Sequence, residues 1–413
     1  MSDVSAPRVG ASRRRVLLSG VGGVGGLVGA AVLGGCTRAD SPDSQGAVAR
    51  AARAVARDFR GTRQSGIVDP PQPYAAFVAL DLVGRPDREA VRRLLTVWTD
   101  DIDRLMAGRG TLVDQEPELA AVPAGLTVTV GVGPRVVRAA RAEAPTWLAP
   151  LPAYGIDRLE PGWSGGDFIL QVCAHSPTTV AHAVRKLVTA APEVVSVRWV
   201  QRGFREPHEG PGVPMRNLFG QVDGTVQPAV DGPDDSLLFV GATGPDWLRE
   251  GSAMVVRRIA MNLDSWDRVD RSARENAIGR RLSDGAPVAR LTGTGTGSDA
   301  ALDGADLEAT NALGFPVIDD AAHLRRAHAS APHERFLRRP YSYDDAPATG
   351  AVSSSGLIFV AYCADPVRQF APVQARLAEK DLLNLWTTPI GSAVFAVLPG
   401  ARDGAILGEA MLA

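Results

Sequence analysis

The amino-acid sequence predicts an α+β fold in which two similar halves follow one another along the chain. In the first half, stretches with strand periodicity and stretches with helical periodicity come in a β-α-β…β-α-β order. The second half repeats this order, and residues 168–177 have a counterpart in residues 357–366, since both end in a polar residue and Pro before a helix. Two ferredoxin-like halves, each an antiparallel sheet with helices packed on it, fit this repetition best.

The elements of the first half follow from periodicity and from one helix cap. Four strands are predicted, at 75–82, 126–132, 167–174 and 194–200. The strict alternation of apolar and polar residues over 126–132 is typical of a half-buried strand. Two helices are predicted at 87–105 and 178–189, and Asp87 is the expected N-cap of the first.

The second half contains the same kinds of elements, separated by longer loops. Strands are predicted at 236–240, 253–262, 356–364 and 392–398, with a helix at 366–377. The inserts at 203–214 and 292–316 carry little periodicity and are expected to be loops. We therefore predict an N-terminal domain at 59–214 and a C-terminal domain at 215–413.

Composition supports a globular protein and excludes several classes. The chain has 413 residues, of which 45% are hydrophobic and 22% charged, as in soluble proteins with room for two domains. A formal net charge of −2 gives no electrostatic case for nucleic acid as a partner. The three cysteines lie far apart, which excludes a disulfide framework and a zinc knuckle, and Cys173 and Cys363 are expected to be buried free thiols.

The first part of the chain has the features of an export signal. Three adjacent arginines, Arg13 to Arg15, precede a charge-free run rich in Gly, Ala, Val and Leu at 19–35. This pattern is typical of a twin-arginine signal, which we assign to 1–36, followed by a polar tether at 37–58. The protein is then exported by the twin-arginine machinery to the extracellular space or the cell envelope.

Cys36 leaves two interpretations open. It follows Leu33, Gly34 and Gly35, a pattern that resembles a lipoprotein processing site. A lipid on Cys36 would attach the mature protein to a membrane. The alternative is a stray cysteine beside an ordinary cleavage site.

Few residues in the sequence are suited to catalysis. There are six histidines, and neither an H-E-x-x-H motif nor a G-x-S-x-G motif occurs. The stretch 216–228 places Asp223 directly before Gly224, which would let the backbone approach a flat ligand closely. Taken alone, this stretch is explained more simply as a tight Asp-Gly hairpin turn.

Several short motifs are weak signals singly but specific in their order and spacing along the chain. They are Gly220-x-x-Asp223-Gly224, His323 followed by Arg338, Thr-Pro-Ile-Gly-Ser at 388–392, and the stretches 61–67, 165–173, 255–259 and 278–287. Together they resemble the dye-decolorizing peroxidases, specifically their twin-arginine-exported branch, and also the related haem deferrochelatases of iron uptake. The resemblance covers nearly all of residues 59–400.

The resemblance implies one haem b per chain, bound between the sheet and the helices of the second half. His323 matches the family's proximal histidine, the iron ligand. Asp381 matches the acidic residue behind that imidazole, which would fix its tautomer and increase its electron donation. A helix-face charge is the alternative explanation of Asp381.

On the opposite side of the haem, the resemblance implies an acid–base pair. Asp223 matches the distal carboxylate that moves a proton between the peroxide oxygens, and Arg338 would stabilise the charge that develops on O–O cleavage. A carboxylate base must be ionised, so an acidic pH optimum is expected. Other residues expected at the haem are Gly224, Thr225 and Val226 beside it, Leu357 and Phe359 in the distal pocket, and His328 near a propionate.

The chain departs from the family pattern at individual side chains and in the length of one interval. Gln227 stands where Asn is common, and the short interval after His323 leaves open whether Arg338 or Arg339 points at the iron. Bulky dyes would need a surface oxidation site. Trp386, Tyr341 and Tyr343 are candidates, with core aromatics as the simpler interpretation.

The function predicted from the sequence is a haem b peroxidase. It would reduce hydrogen peroxide and oxidise dyes or other phenolic and organic electron donors. The alternative is a haem-binding, deferrochelatase-like protein of extracytoplasmic iron handling. A ferredoxin-like binding module without haem is a third reading, and it leaves Asp223, His323 and Arg338 unexplained. The sequence is silent on the physiological reducing substrate and on the oligomeric state.

Overall fold

The computed structural model describes residues 54–206, 214–230, 232, 234–291 and 301–413. All of them lie within one compact unit that spans 46–413. The predicted export signal, Cys36 and most of the predicted tether lie outside the described residues. Within the described ranges, no helix is both long enough and apolar enough to cross a membrane.

The first half is a four-stranded antiparallel sheet with helices packed on it. Its strands are β1 (Tyr74–Leu82), β2 (Thr127–Val132), β3 (Phe168–Ala174) and β4 (Val195–Phe204), and their order in the sheet is β2-β3-β1-β4. Its helices are α1 (Arg88–Met106), α2 (Pro134–Ala140) and α3 (Pro177–Thr189). This is the ferredoxin-like order that the sequence predicted.

Local sequence explains where these helices begin and which face they bury. Asp87 caps α1 by accepting a hydrogen bond from the backbone N–H of Ala90 at 2.9 Å. Ser176 caps α3 in the same way, with Pro177 in the first helical position. The apolar stripe of α1 is buried around Trp98, whose indole N–H donates to the Leu187 carbonyl at 2.9 Å.

The second half repeats the same sheet. Its strands are β7 (Ser252–Met261), β9 (Tyr341–Asp345), β10 (Ser354–Cys363) and β11 (Thr387–Val397), in the order β11-β7-β10-β9. The smaller elements are β5 (Met215–Arg216), β6 (Val222–Asp223), α4 (Asp235–Leu238), α5 (Leu263–Trp266), α6 (Arg271–Ile278), α7 (His323–Ala327), β8 (Leu337–Arg338) and α8 (Phe370–Lys380). Read from β9 to β11, the second sheet has its second, third, first and fourth strands in that order. This is the same order as β2-β3-β1-β4 in the first half.

The two sheets join into a closed antiparallel ring. β4 pairs with β9 at Phe204 and Ser342, and β11 pairs with β2 through Ala396 and Val397. One buried cluster contains strand residues from both halves, among them Phe77, Ile169, Met254, Tyr362 and Phe395. The halves therefore share a hydrophobic core, and the predicted fold class is confirmed.

One predicted strand is wrong. Residues 236–240 were expected to be a strand, whereas α4 (Asp235–Leu238) is a single helical turn closed by the Phe239 N–H on the Asp235 carbonyl at 2.9 Å. Leu238, Phe239 and Val240 are all buried. A short apolar run does not distinguish a strand from a buried helical turn, and here the surrounding core decided.

Two element starts also differ from the prediction. α8 begins at Phe370 rather than at 366, because Asp365 holds the preceding turn by accepting from the N–H groups of Val367 and Arg368. β11 begins at Thr387 rather than at 392, because its first residues pair with β7. The predicted domain boundary at 214/215 adjoins residues 207–213, which lie outside the described ranges, and stays a prediction.

Candidate active site

His323 is the first residue of α7 and forms a close pair with Asp381. Its Nδ1–H donates to Asp381 Oδ2 at 2.6 Å. The other oxygen of Asp381 accepts from the Leu383 N–H at 2.9 Å, and the Leu382 N–H donates to the Ala321 carbonyl at 2.9 Å. The segment after α8 is thus bound to the start of α7, which fixes both the tautomer and the orientation of the imidazole.

The second ring nitrogen of His323 is available. Its side chain is 39% exposed while that of Asp381 is 4% exposed, and Nε2 has no hydrogen-bond partner among the described residues. Burial lowers the pKa of His323, but the charge of Asp381 and its hydrogen bond outweigh burial and raise that pKa overall. An oriented imidazole backed by a carboxylate is the usual form of a metal-binding histidine.

Asp223 lies at the end of a small hairpin formed by β5 and β6. Asn217 shapes the turn of this hairpin, since its side-chain oxygen accepts from the N–H groups of Phe219 and Gln221. Asp223 pairs with Met215 across the two strands, so Asp223 and Gly224 are not the hairpin turn. Gly224 has φ +85°, a conformation that favours glycine, and its N–H donates to Asp223 Oδ1 at 2.6 Å.

Arg338 lies on β8, where it is half-buried. Among the described residues, that guanidinium has no hydrogen bond and no ion pair. Burial lowers the pKa of Arg338, and the charge of Asp223 opposes the shift. The charges of Asp223 and Arg338 also act on the pKa of His323, so the hairpin, β8 and α7 bring these three side chains into one neighbourhood.

Arg339 belongs to a different environment. It is buried, and its guanidinium donates to the Asp69 carbonyl and to Gln72 Oε1, the latter at 2.7 Å. Neighbouring residues on a strand point to opposite faces, so only one of the two arginines can share a side with Asp223. The side chain that interacts electrostatically with Asp223 is Arg338.

The other residues predicted to border a haem differ in their solvent exposure. Leu357 and Phe359 are half-buried on one face of β10, alternating with the buried Ile358 and Val360. Gly224 and Thr225 are half-buried, Val226 is exposed, and His328 is exposed where it ends α7. A Cβ atom added at Gly224 would meet only Gln227 Nε2, at 3.9 Å, so the backbone there is open to a neighbour.

The three aromatic candidates differ in their surroundings. Tyr341 and Tyr343 are buried, as expected of core aromatics. Trp386 packs edge-on against Trp266 at 5.0 Å between ring centroids and borders a cavity of about 280 Å³. A larger cavity of about 860 Å³ lies beside Trp147 and Trp247 and contains none of the predicted site residues.

Sequence reasoning missed two arginines near Asp223. The charge of Asp223 acts on the pKa of both Arg205 and Arg280. Arg280 is buried and donates to the carbonyls of Gly285 and Ala301 at 2.8 and 2.9 Å. Burial, with the charge of Arg338, lowers the pKa of Arg280 to about 10. Arg280 lies in the 278–287 stretch that supported the family resemblance, which was the only signal for it.

Comparison with known families assigns both halves. The C-terminal domain model of the Dyp-type peroxidases matches residues 214–402, and the N-terminal domain model matches residues 64–205. The chain belongs to the Dyp-type peroxidase family. A dye-decolorizing peroxidase of Thermobifida fusca is 37% identical over 442 residues, which cover 100% of both chains. A deferrochelatase of Yersinia pestis is 31% identical over 423 residues, 96% of this chain and 93% of the relative.

Solved structures agree with this assignment. A DyP-type peroxidase from Cellulomonas bogoriensis superposes with a TM-score of 0.82 at 52% identity, covering 87% of this chain and 99% of that one. Ferric DtpA from Streptomyces lividans gives a TM-score of 0.81 at 36% identity, covering 88% and 98%. As a Dyp-type peroxidase, the chain uses haem as its cofactor, with hydrogen peroxide and a reducing substrate.

The residues of this Dyp-type peroxidase fit a haem. His323 offers a nitrogen that no described side chain uses, in a tautomer fixed by Asp381. Gly224 leaves its backbone open to a flat ligand, and Leu357 and Phe359 supply an apolar face. Asp223 and the unpartnered Arg338 add the charged groups. These residues could therefore hold a haem, with His323 as the nitrogen donor to its iron.

Proposed function

We propose that this chain is a haem b peroxidase that oxidises dyes or other phenolic and organic electron donors, with Asp223 and Arg338 as its catalytic residues. When bound, the haem supplies the redox-active iron at which hydrogen peroxide is reduced. The observation that carries the proposal is that the charge of Asp223 acts on the guanidinium of Arg338, to which no described protein group forms a hydrogen bond. A half-buried guanidinium with no hydrogen-bond partner among the described residues is suited to a developing anion.

Asp223 moves the proton in this proposal. One peroxide oxygen must lose a proton and the departing oxygen must gain one, and a carboxylate that accepts and then donates it serves both steps. Asp223 Oδ1 is held by the Gly224 N–H, while Oδ2 has no partner among the described residues. Arg338 stabilises the charge that develops on the leaving oxygen.

His323 would hold the iron, one haem per chain, between the second sheet and its helices. Asp381 would keep the ring in the tautomer that leaves Nε2 free and would increase the electron donation of the imidazole. The remaining residues proposed to border the haem are Gly224, Thr225, Val226, His328, Leu357 and Phe359. Their half-buried or exposed positions support this assignment.

A second candidate is a haem-binding protein of iron handling. The supporting observation is the 31% identity to deferrochelatases over nearly the full chain. This function needs the axial histidine but not a fast proton shuttle. The two candidates therefore differ in whether Asp223 and Arg338 matter.

We also propose that residues 1–36 direct export by the twin-arginine machinery, and that the mature protein works outside the cytoplasm or in the cell envelope. Three adjacent arginines before an apolar run interrupted by glycines support this. A lipid on Cys36 would anchor the protein to the membrane. Labelling with a radioactive fatty acid, in the native chain and in Cys36→Ser, separates the anchored form from the secreted one.

The decisive experiment is rapid mixing of the haem-loaded protein with hydrogen peroxide, followed by haem absorbance. The wild type should react quickly, and Asp223→Ala should react about 10²–10⁴-fold more slowly, the usual contribution of a positioned acid–base group. Asp246→Ala, which removes an exposed carboxylate far from His323 in the sequence, is the matched control and should react like the wild type.

The outcome also separates the two candidates. If the wild-type protein binds haem yet reacts no faster than free haem, the peroxidase proposal is wrong and iron handling is the better account. If the wild type reacts fast and Asp223→Ala equally fast, the role of Asp223 is wrong while the peroxidase activity stands.

A further inference from the structure

We propose that Gln227 is a positioning residue, whose side-chain amide fixes the backbone of Arg338 and thereby the place of its guanidinium relative to Asp223. The inference rests on the proposed function, because it concerns how the two proposed catalytic residues are kept together. It assigns a task to a side chain that departs from the family pattern, in which Asn is common at this position.

The geometry is a pair of opposed hydrogen bonds. Gln227 Oε1 accepts from the Arg338 N–H at 2.9 Å, and Gln227 Nε2 donates to the Arg338 carbonyl at 2.8 Å. The two residues are 111 positions apart in the chain. A single carboxamide thus satisfies both backbone groups of one residue, as a peptide group of a neighbouring strand would.

The position of β8 explains why such a partner is needed. Arg338 lies opposite Ala361 of β10, and the N–H that reaches β10 is that of Arg339, which donates to the Val360 carbonyl at 2.8 Å. The N–H and carbonyl of Arg338 therefore point away from β10, along an edge. Gln227 occupies the place that a further strand would fill, and without it these two groups would lose their protein partner.

The amide bridge matters for the guanidinium because no other described residue holds that side chain. No described residue forms a hydrogen bond or ion pair with the Arg338 guanidinium, so its location follows from its backbone and rotamer. Gln227 also lies four residues after Asp223, and its Nε2 is the nearest atom to a Cβ added at Gly224, at 3.9 Å. One side chain thus connects the segment of Asp223 to the strand of Arg338.

The length of the side chain is part of the argument. Gln227→Leu has a similar volume but makes neither bond, and Gln227→Met keeps an unbranched chain of the same reach without the amide. Catalytic groups lose much of their effect when displaced by about 1 Å, by up to roughly 10²-fold. A displaced Arg338 would weaken both anion binding and the reaction with peroxide, even in a variant that remains fully folded.

The test compares Gln227→Leu with Gln369→Leu in the haem-loaded protein. Gln369 also binds distant backbone in the same half, since its Nε2 donates to the carbonyls of Leu237 and Arg335 at 2.9 and 2.7 Å, and among the described residues it forms no hydrogen bond with Arg338. The readouts are fluoride affinity of the ferric protein, the rate of reaction with peroxide, thermal stability, and hydrogen exchange of the Arg338 amide. Gln227→Met serves if Gln227→Leu does not fold.

We expect Gln227→Leu to weaken fluoride binding and slow the peroxide reaction by about tenfold each, within the range for a misplaced catalytic group. It should also speed exchange of the Arg338 amide, whereas Gln369→Leu should change stability alone. Adding Gln227→Leu to Arg338→Leu should cause no further loss, since the two act as a unit.

The inference is overturned if Gln227→Leu lowers stability like Gln369→Leu but leaves fluoride affinity and rate unchanged. A different result would reject the proposed function instead. If Arg338→Leu leaves both readouts unchanged, Arg338 has no catalytic role. Exchange of the Arg338 amide would still report whether Gln227 holds that backbone.

Discussion

Among the described residues, each half of the molecule contains one histidine–aspartate pair, and the two pairs differ in how exposed the histidine is. In the first half, His182 Nε2 lies 2.8 Å from Asp114 Oδ2, with side chains 3% and 0% exposed. In the second half, the His323 pair uses Nδ1, and the histidine is 39% exposed. The same two residue types thus form a closed contact in one half and an open, oriented imidazole in the other.

The surroundings of the first pair explain its closed character. The ammonium of Lys186 lies 2.7 Å from Asp114 Oδ1 and 3.0 Å from Glu116 Oε2. Asp114, Glu116 and His182 are close enough together to resemble a metal site, but Lys186 already supplies the positive charge that the two carboxylates require. The lesson is that residue types do not define a metal ligand; the nitrogen left over and the space it faces do.

The largest expected difference between the pairs is in haem binding. His323→Ala should lose most of the haem affinity, by more than the roughly 10–100-fold that loss of an outer partner typically costs. His182→Ala should bind haem as the wild type does while unfolding at a lower temperature. Haem titration followed by absorbance, with a melting curve for each variant, checks both expectations. Equal haem affinity in the two variants would remove His323 as the iron ligand.

Replacing the aspartate of each pair should have a smaller effect on haem binding than replacing the histidine. Again, only the change in the second half should affect the haem. Asp381→Asn is expected to weaken haem binding by about 10–100-fold and to make the iron reduction potential more positive, because the imidazole donates less. Asp114→Asn should leave that potential unchanged and lower the stability by about 1–3 kcal/mol, through its lost hydrogen bonds. Spectroelectrochemical titration measures the potential. An unchanged potential in Asp381→Asn would reduce that residue to a structural role.

The smallest expected effect is a pH dependence of the folding stability, which arises from Asp114 in the first pair. Burial raises the pKa of Asp114, but Lys186, the Glu116 N–H and His182 outweigh it and lower that pKa to about 2. A folded-state pKa below the ordinary value of about 3.9 means that the stabilisation is present above that value and is lost as the pH falls toward 2. Melting temperatures of the haem-free wild type and Asp114→Asn should therefore converge between about pH 4 and pH 2. A constant difference across this range would contradict the assignment.

Much of the molecule could be predicted from local sequence. The alternation in β2, the cap of α1 and the repeat shared by β3 and β10 are properties of neighbouring residues, and each indicated its element correctly. The single turn of α4 could not be predicted, because its short apolar run fits a strand equally well. Closure of the two sheets into a ring depends on pairings between residues far apart in the chain, such as Phe204 with Ser342.

Some features of the candidate site could likewise be predicted from the sequence, and others could not. Asp223, His323 and Arg338 were predicted as site residues because their motifs follow one another at characteristic intervals. The bridge from Gln227 to Arg338 carries no sequence signal, since it joins positions 111 residues apart and uses backbone groups that every residue has. The choice between Arg338 and Arg339 was likewise open in the sequence, and the hydrogen bonds of Arg339 to Asp69 and Gln72 favour Arg338.

The sequence by itself determined the two-half α+β plan, the export signal as a prediction, and the set of residue types available for chemistry. Only the tertiary structure showed which of the two described histidine–aspartate pairs has an exposed imidazole, which of Arg338 and Arg339 lacks a described hydrogen-bond partner for its guanidinium, and which side chain binds the backbone of Arg338. The physical reason is that periodicity and capping act between neighbours in the chain. Burial, hydrogen-bond partners and electrostatic shifts are set by groups that only folding brings together.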